Sequence, residues 1–240
     1  MLTRGARARG PASLRGSLAS PTYAVRAPLA SWLASEAEKL DARFGAECRL
    51  LDIGCGQLPY ASLFAGHVSE YVGLDFVDNP RAQLRGPAEA LPVPDASFDV
   101  VLCTQVLEHC DDPARVVSEL RRVTRPGGLV LASTHGVQVY HPSPVDHWRW
   151  THTGLELLFR RNADWSGCSV AAGAGTTACV GMVVNLYLDL LAKRLRLRPL
   201  ALPLIAAINR AAERLDAANP RLRSLEPGAL IANFHIRADA

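Results

Sequence analysis

Three groups of residues in this chain have the types and spacing to do chemistry. In "LLDIGCGQLPY", from Leu50 to Tyr60, an apolar run ends at Asp52 and two glycines, Gly54 and Gly56, flank Cys55. Glycines at such a point permit positive φ and remove the Cβ atoms that keep a ligand off the backbone. Asp75 ends the next apolar run, about twenty residues on, where a carboxylate can take the two hydroxyls of a ribose. The third group is "HPSPVDHWRW", in which two prolines stiffen a loop presenting His141, Asp146, His147, Trp148, Arg149 and Trp150. An Asp–His–Arg group beside aromatic rings could bind an acceptor and take its proton. Asp146 with Arg149 reads equally well as an ion pair, and the tryptophans as packing of the loop on itself.

A dinucleotide makes the same first two demands, so the third glycine of Gly-x-Gly-x-x-Gly discriminates. Pro59 stands there, and proline offers neither an N–H for a pyrophosphate nor the close helix packing of glycine. A nucleoside ligand without phosphates has no such need.

Loops of this kind must be held by strands. Apolar runs at Arg49–Ile53, Tyr71–Leu74, Phe98–Cys103 and Leu129–Ala132 alternate with helical patterns, which predicts βαβ units and a parallel sheet covered on both faces. One helix is predicted from Ser31 to Phe44, with Leu33, Ala37, Leu40 and Phe44 on its inner face. Another takes Asp112 as N-cap and Pro113 as first residue, buries Val116, Val117, Leu120 and Val123, and stops at Pro126-Gly127-Gly128. A third opens with a capping box at Thr153 and Glu156 and buries Leu155, Leu158 and Phe159. Ser166–Ala171 and Leu230–Ile236 read as two further strands with a helical insertion at about 173–228 between them. In the 178–196 helix, Asn185, Asp189, Lys193 and Arg196 form one polar stripe on an otherwise apolar cylinder.

At this point the chain resembles a family. "LLDIGCGQLPY", "YVGLDF", "AEALPVPDASFDVVLCTQVLEHCDDPARVVSELRRVTRPGGLVLAST" and "HPSPVDHWRWTHTGLELLF" occur in order and are together similar to the class I S-adenosylmethionine-dependent methyltransferases of the type-11 group. The resemblance covers about residues 49–170. It implies a Rossmann-like α/β fold: a seven-stranded, mostly parallel sheet with helices on both faces and an antiparallel last strand, matched by Leu230–Ile236. It also implies S-adenosyl-L-methionine as cofactor, with Asp52, Gly54, Cys55 and Gly56 at its methionine end and Asp75 on the ribose. Ala88 and Glu89 would lie beside the adenine, and Thr104 and Gln105 under the methionine moiety. Two departures stand out. Leu58 replaces the third glycine of the family's usual Gly-x-Gly-x-Gly, and Pro87 replaces an aspartate that commonly precedes "AEALP".

Methyl transfer from a sulfonium is an in-line displacement in which the positive charge on sulfur is lost, so the leaving group needs neither acid nor metal, and alignment can supply ~7–11 kcal/mol. A base matters only for an acceptor that must lose a proton. His109, His135, His141, Asp146 and His147 are the candidates. His109 is expected to order its loop, His135 to end strand five on the ligand side, and Asp146 with His147 to form the catalytic pair serving the acceptor. Neither an Asn/Asp-Pro-Pro-Tyr segment nor a Pro-Cys dipeptide is present, so a small-molecule or glycan-precursor acceptor is expected and nucleic acid is not. A non-catalytic S-adenosylmethionine-binding partner subunit and an NAD(P)-dependent oxidoreductase are the alternatives.

Composition is that expected of a soluble globular protein: 240 residues, 49% hydrophobic, 20% charged, net charge +3 and mean hydropathy +0.07. Lys39 and Lys193 are the only lysines, and the arginines cluster only at Arg194, Arg196 and Arg198. The six cysteines contain no Cys-x-x-Cys pair, so reduced thiols and a cytoplasmic location are expected. Residues 1–30, with Arg4, Arg7, Arg9 and Arg15 and no apolar core, are expected to be an unstructured segment before one domain at 31–240. No stretch is expected to span a bilayer, which needs roughly 20 apolar residues. The insertion is expected to form a lid over the acceptor, a contact in a homodimer or a contact with a membrane surface.

Overall fold

The computed structural model describes residues 14–240. Seven strands form one sheet: β1 Arg49–Ile53, β2 Glu70–Asp75, β3 Leu84–Arg85, β4 Phe98–Thr104, β5 Thr124–His135, β6 Gly167–Ala172 and β7 Asn233–Asp239. Their order is β3-β2-β1-β4-β5-β7-β6. Neighbours from β3 to β5 pair in parallel, and β7 runs antiparallel to both β5 and β6. The sheet is therefore the mostly parallel α/β sheet that the sequence motifs imply, with its last strand reversed. The two-residue β3 carries no signal that its sequence would reveal.

Alternation along the central strands sorts the core into two layers. Leu51, Ile53, Val101, Cys103, Val130 and Ala132 face one side. There they meet Val116, Val117, Leu120 and Val123 of α4 (Pro113–Val123) and Leu155 and Phe159 of α5 (His152–Asn162). Leu50, Val100, Leu102, Leu129 and Leu131 face the other side, toward Leu29 and Leu33 of α1 (Tyr23–Ala37), Leu40 of α2 (Leu40–Phe44) and Phe64 of α3 (Ala61–Phe64). The period of two in the strands and of about 3.6 in the helices fixes these layers locally.

Asp112 caps α4 as expected, accepting from the N–H groups of Ala114 and Arg115 at 3.1 Å. The cap of α5 lies elsewhere than expected. Thr151, not Thr153, accepts from Gly154 N at 3.1 Å, and Glu156 instead approaches Arg160 at 4.0 Å.

The first helix also corrects the sequence. It begins at Tyr23, and a break at Glu38–Lys39 separates it from α2. Of the segment expected to be unstructured, residues 1–13 lie outside the described residues, and residues from Tyr23 onward are helical. Ala24 and Val25 are buried against Ala178, Cys179 and Met182. The small apolar run "YAVRAPLA" finds its partners in a distant helix, which no local pattern announces.

Between β6 and β7 two helices, α6 (Thr176–Arg194) and α7 (Arg198–Ala218), pack against each other as a hairpin. Over an 18-residue window, α6 has a mean hydropathy of 1.2 and is long and apolar enough to cross a membrane by length and composition. That corrects the expectation that no stretch meets this test. Within the hairpin the first two residues of its polar stripe point inward, while Lys193 is exposed and Arg196 lies beyond the helix. Asn185 and Asp189 are buried, Asn185 donating to Asn209 Oδ1 at 2.9 Å and Asp189 pairing with Lys193 at 2.6 Å and Arg198 at 3.1 Å. All six cysteines are free thiols, five of them buried and Cys168 partly exposed.

Candidate functional site

In an open parallel sheet, ligands bind beyond the carboxyl ends of the strands where strand order reverses. Here that point lies between β1 and β4. The loop after β1 carries three left-handed residues: Gly54 at φ 67°, Gly56 at φ 49° and Leu58 at φ 53°. The two glycines do different work. A Cβ on Gly54 would sit 2.5 Å from Val106 Cγ2, so this glycine lets the loops after β1 and β4 touch. A Cβ on Gly56 would meet nothing within 4 Å, so this glycine opens toward the ligand side. Leu58 keeps the left-handed backbone that a glycine would take there, and its N–H donates to Cys55 O at 2.8 Å to close the turn. The departure from the family pattern is one of side chain alone.

Asp52 and Cys55 turn under this loop. Asp52 is buried and accepts from the Tyr71 hydroxyl at 2.7 Å, and burial raises its carboxyl to about 7 in spite of that bond. The Cys55 thiol lies in the space that Gly73 leaves free, and burial together with the nearby Asp52 and Asp75 pushes it up to about 12. Both are scaffold by side chain, and Cys55 offers a ligand only its backbone.

Asp75 is already positioned. Gly56 N donates to its Oδ2 at 3.2 Å and Phe76 N to its Oδ1 at 2.8 Å. The Asn79 amide donates to the same Oδ2 at 2.8 Å and to Gly56 O at 2.7 Å, tying carboxylate to glycine loop. Asn79 was missed from the sequence, although "DNP" is a turn signal that could have pointed to it. Beside Asp75 lies a concavity of about 580 Å³ lined by Phe76, Val77, Asp78, Arg85, Gly86 and Pro87. Ala88 is buried next to it, and Glu89 accepts from Asp111 N at 3.1 Å, so the 87–89 turn is bound to the loop after β4. A larger cavity of about 690 Å³ involves Arg49, Glu70 and Phe98, the first residues of β1, β2 and β4. It reaches the end of the sheet opposite the carboxyl ends, and we assign no ligand to it.

Thr104 ends β4 and is buried. Gln105 follows at φ 56°, and its side chain donates to Ser133 Oγ at 2.9 Å and Asn233 Oδ1 at 2.8 Å. The floor between the loops after β1 and β4 is thereby fixed to β5 and β7.

The structure does not bring Asp146 and His147 together. Asp146 accepts from Arg149 at 2.7 Å and from His141 N at 3.0 Å. Burial acts to raise its carboxyl, yet these donors hold it below the usual range. The carboxylate closes its own loop and does not orient an imidazole. His147 points outward, 3.6 Å from Asp111 Oδ1, while its backbone N–H donates to Glu108 O at 2.7 Å. The tryptophans are packing residues: Trp148 stacks on Trp150 at 5.5 Å and donates to Cys110 O at 2.8 Å. His109 meets Val145 O at 3.0 Å and orders the loop.

Another pair lies below it. Glu108 is fully buried, accepts from the Thr134 hydroxyl at 2.8 Å and has its other oxygen 3.3 Å from His135 Nε2. Burial raises Glu108 to about 7 and, with help from Arg149, lowers His135 to about 4. His135 stands at the carboxyl end of β5 and is partly exposed. No local pattern singles it out, because its partner Glu108 lies 27 positions earlier, in the loop after β4.

Residues 51–132 match the family model for a methyltransferase domain. An uncharacterized methyltransferase of Mycobacterium sp. (strain JLS) is 38% identical over 135 residues, which are 51% of this chain and 50% of that one. A chain of Mycolicibacterium smegmatis described as a probable S-adenosylmethionine-dependent methyltransferase is 41% identical over 103 residues, 39% of this chain and 40% of that one. This chain thus spans about half the length, or less, of the curated relatives it matches. In structure it resembles a SAM-dependent methyltransferase from Archaeoglobus fulgidus with a TM-score of 0.54 at 14% identity, over 95% of this chain and 96% of that one, a likeness of fold. Strand order, glycine loop and matched segment agree: residues 51–132 match a methyltransferase domain, and the chain has the fold of the class I S-adenosylmethionine-dependent methyltransferases.

Proposed function

We propose that this protein transfers a methyl group from S-adenosylmethionine to a small-molecule or glycan-precursor acceptor. The observation that carries this reading is the Gly56–Asp75–Asn79 cluster. It presents an ordered carboxylate and an unobstructed backbone at the carboxyl ends of β1 and β2, beside an open concavity. Asp75 suits a ribose diol, and the 87–89 turn with Ala88 and Glu89 would flank the adenine. The backbone of Gly54, Cys55 and Gly56, above Asp52 and opposite Thr104 and Gln105, would hold the methionine end. When bound, S-adenosylmethionine supplies an electrophilic methyl group on a sulfonium.

The residues of this chain then have to bind, orient and, for a hydroxyl acceptor, hold a proton. His135 is the group placed for the last task. It is neutral at pH 7 because burial keeps it so, Glu108 stands behind its Nε2, and its Nδ1 is buried with no hydrogen-bond partner among the described residues, a nitrogen left without a proton donor. His147, exposed and near only the solvent-exposed carboxylate of Asp111 at 3.6 Å, is not.

Calorimetric titration with S-adenosylmethionine and its demethylated product tests the cofactor half of this reading. Asp75→Ala should weaken binding by about tenfold to 150-fold, the loss expected for a charged hydrogen bond. Binding of NAD(P) in its place would make the protein an oxidoreductase. For the acceptor, a metabolite extract incubated with deuteriomethyl cofactor and read by mass spectrometry should yield a labelled product. Tight cofactor binding with no labelled product in any extract would instead indicate a cofactor-binding partner subunit.

A further inference from the structure

The α6–α7 hairpin buries several polar side chains and leaves an apolar stripe of α6 exposed. Polar side chains meet inside it: the Asn185 amide donates to Asn209, whose own amide donates to Leu18 O at 2.6 Å and Ser20 O at 2.9 Å. Asp216 accepts from Thr177 N and Ala178 N at 3.0 and 2.9 Å. Ala178, Cys179, Met182, Ile205 and Ala212 are buried, but a second apolar face of α6 is open. Val180, Val183, Val184, Tyr187 and Leu190 recur along one face of α6, with Tyr187 61% exposed.

This face runs into the hairpin tip, where every residue from Lys193 to Leu200 is exposed. Leu195 and Leu200 are 64% and 72% exposed there, and Arg194, Arg196 and Arg198 alternate with the leucines. Arg198 pairs with Asp189, while Arg194 and Arg196 have no ion-pair partner among the described residues. Between Thr176 and Ala212 the only acid is Asp189, which is buried and doubly paired, against Lys193, Arg194, Arg196, Arg198 and Arg210.

We propose that this hairpin docks the protein on an anionic lipid surface, tip first, with Leu195, Leu197 and Leu200 entering the interface and Arg194 and Arg196 meeting the headgroups. Charge selects this occupant. A second copy would set this same basic tip against its like in a symmetric contact. An anionic bilayer accepts both the apolar and the basic parts of the surface. The buried Asn185–Asn209 and Asp189 pairs need the hairpin intact, so α6 stays packed on α7 while the tip enters the interface, and it does not cross alone. This inference does not rest on the proposed reaction, since it uses no residue of the cofactor site.

Co-sedimentation of the whole protein with vesicles tests it. We expect binding to phosphatidylcholine vesicles containing phosphatidylglycerol, weak binding to phosphatidylcholine alone, and release as salt rises. Replacing Arg194→Gln and Arg196→Gln together should weaken binding roughly 30-fold. Leu195→Ser with Leu200→Ser should weaken it as well, and thermal melting and cofactor affinity should stay unchanged in both variants. Failure to bind either vesicle overturns the proposal. So does sedimentation equilibrium that reveals a dimer dissolved by the two serines, because the face would then belong to a second copy. A loss of cofactor binding with vesicle binding kept would count against the proposed reaction alone.

Discussion

Two glycines two positions apart answer to different constraints, and substitution separates them. Gly54→Ala forces a methyl group into Val106 and a left-handed backbone on alanine. It should lower stability by about 1–3 kcal/mol in urea denaturation. Gly56→Ala carries only the backbone penalty, roughly 1 kcal/mol, but puts a methyl group where a ligand must approach, so calorimetry should register it more strongly than denaturation does. The acceptor side permits a second contrast. His135→Ala should lower turnover with a hydroxyl acceptor by ~10²–10⁴-fold while sparing cofactor affinity, whereas His147→Ala should leave both nearly unchanged. If His147→Ala is the damaging substitution, the assignment of the proton-holding group is reversed. At this scale the cofactor loop was legible because Gly54, Gly56 and Asp75 are local punctuation. The acceptor residues were not, because Asp146 chooses Arg149 over His147 only once the loop has folded onto Glu108.

Helix ends show how far an element can depend on a distant residue. The N-terminus of α6 starts at Gly175, which has no side chain to cap it, and the capping carboxylate comes from Asp216 of α7. Gly175 is itself a consequence, since any Cβ there would collide with that carboxylate. Asp216→Ala should therefore cost roughly 2 kcal/mol and make the hairpin exchange amide protons faster than the sheet does, as hydrogen–deuterium exchange would reveal. The strands and α4 could be read from sequence because alternation and an Asp-Pro start are contiguous signals, although α4 ends at Val123 and the Pro126-Gly127-Gly128 expected to stop it lie inside β5. For α6 the polar stripe was legible but not its direction. A stripe is a property of one helix, and which way it points is decided by Asn209 and Arg198 on the next.

For the molecule as a whole, buried titratable groups set opposing pH dependences. Asp52 and Glu108, raised to about 7 by burial, hold protons in the folded chain that the unfolded chain releases well below that. Their contribution to stability rises as pH falls from about 7. His135 and His235, lowered to about 4 by burial, stay neutral in the folded chain while the unfolded chain binds protons below 6.5. Their contribution falls as pH falls through that window. Two protons on each side nearly cancel, so stability should be close to flat between about pH 4.5 and 6.5. Asp146 and Asp189, held below the usual carboxylate range by their cationic partners against the pull of burial, lose their contribution only at still lower pH, where acid unfolding should begin. Replacing Asp52→Asn and Glu108→Gln together removes one side of the balance. Urea midpoints should then fall steadily from pH 6.5 downward, and an unchanged plateau would mean that the histidines do not titrate as placed.

The distribution of thiols gives the protein a built-in stopwatch. Only Cys168, on the β6 edge, is partly open; Cys55 lies under the glycine loop, Cys179 inside the α1–α6 contact and Cys103 in the middle of the sheet. A maleimide added to the unaltered chain should mark Cys168 first and the other five at the pace of local opening. Peptide mapping of the label would then rank the loop, the hairpin and the sheet by how often each comes apart, with no probe engineered into any of them.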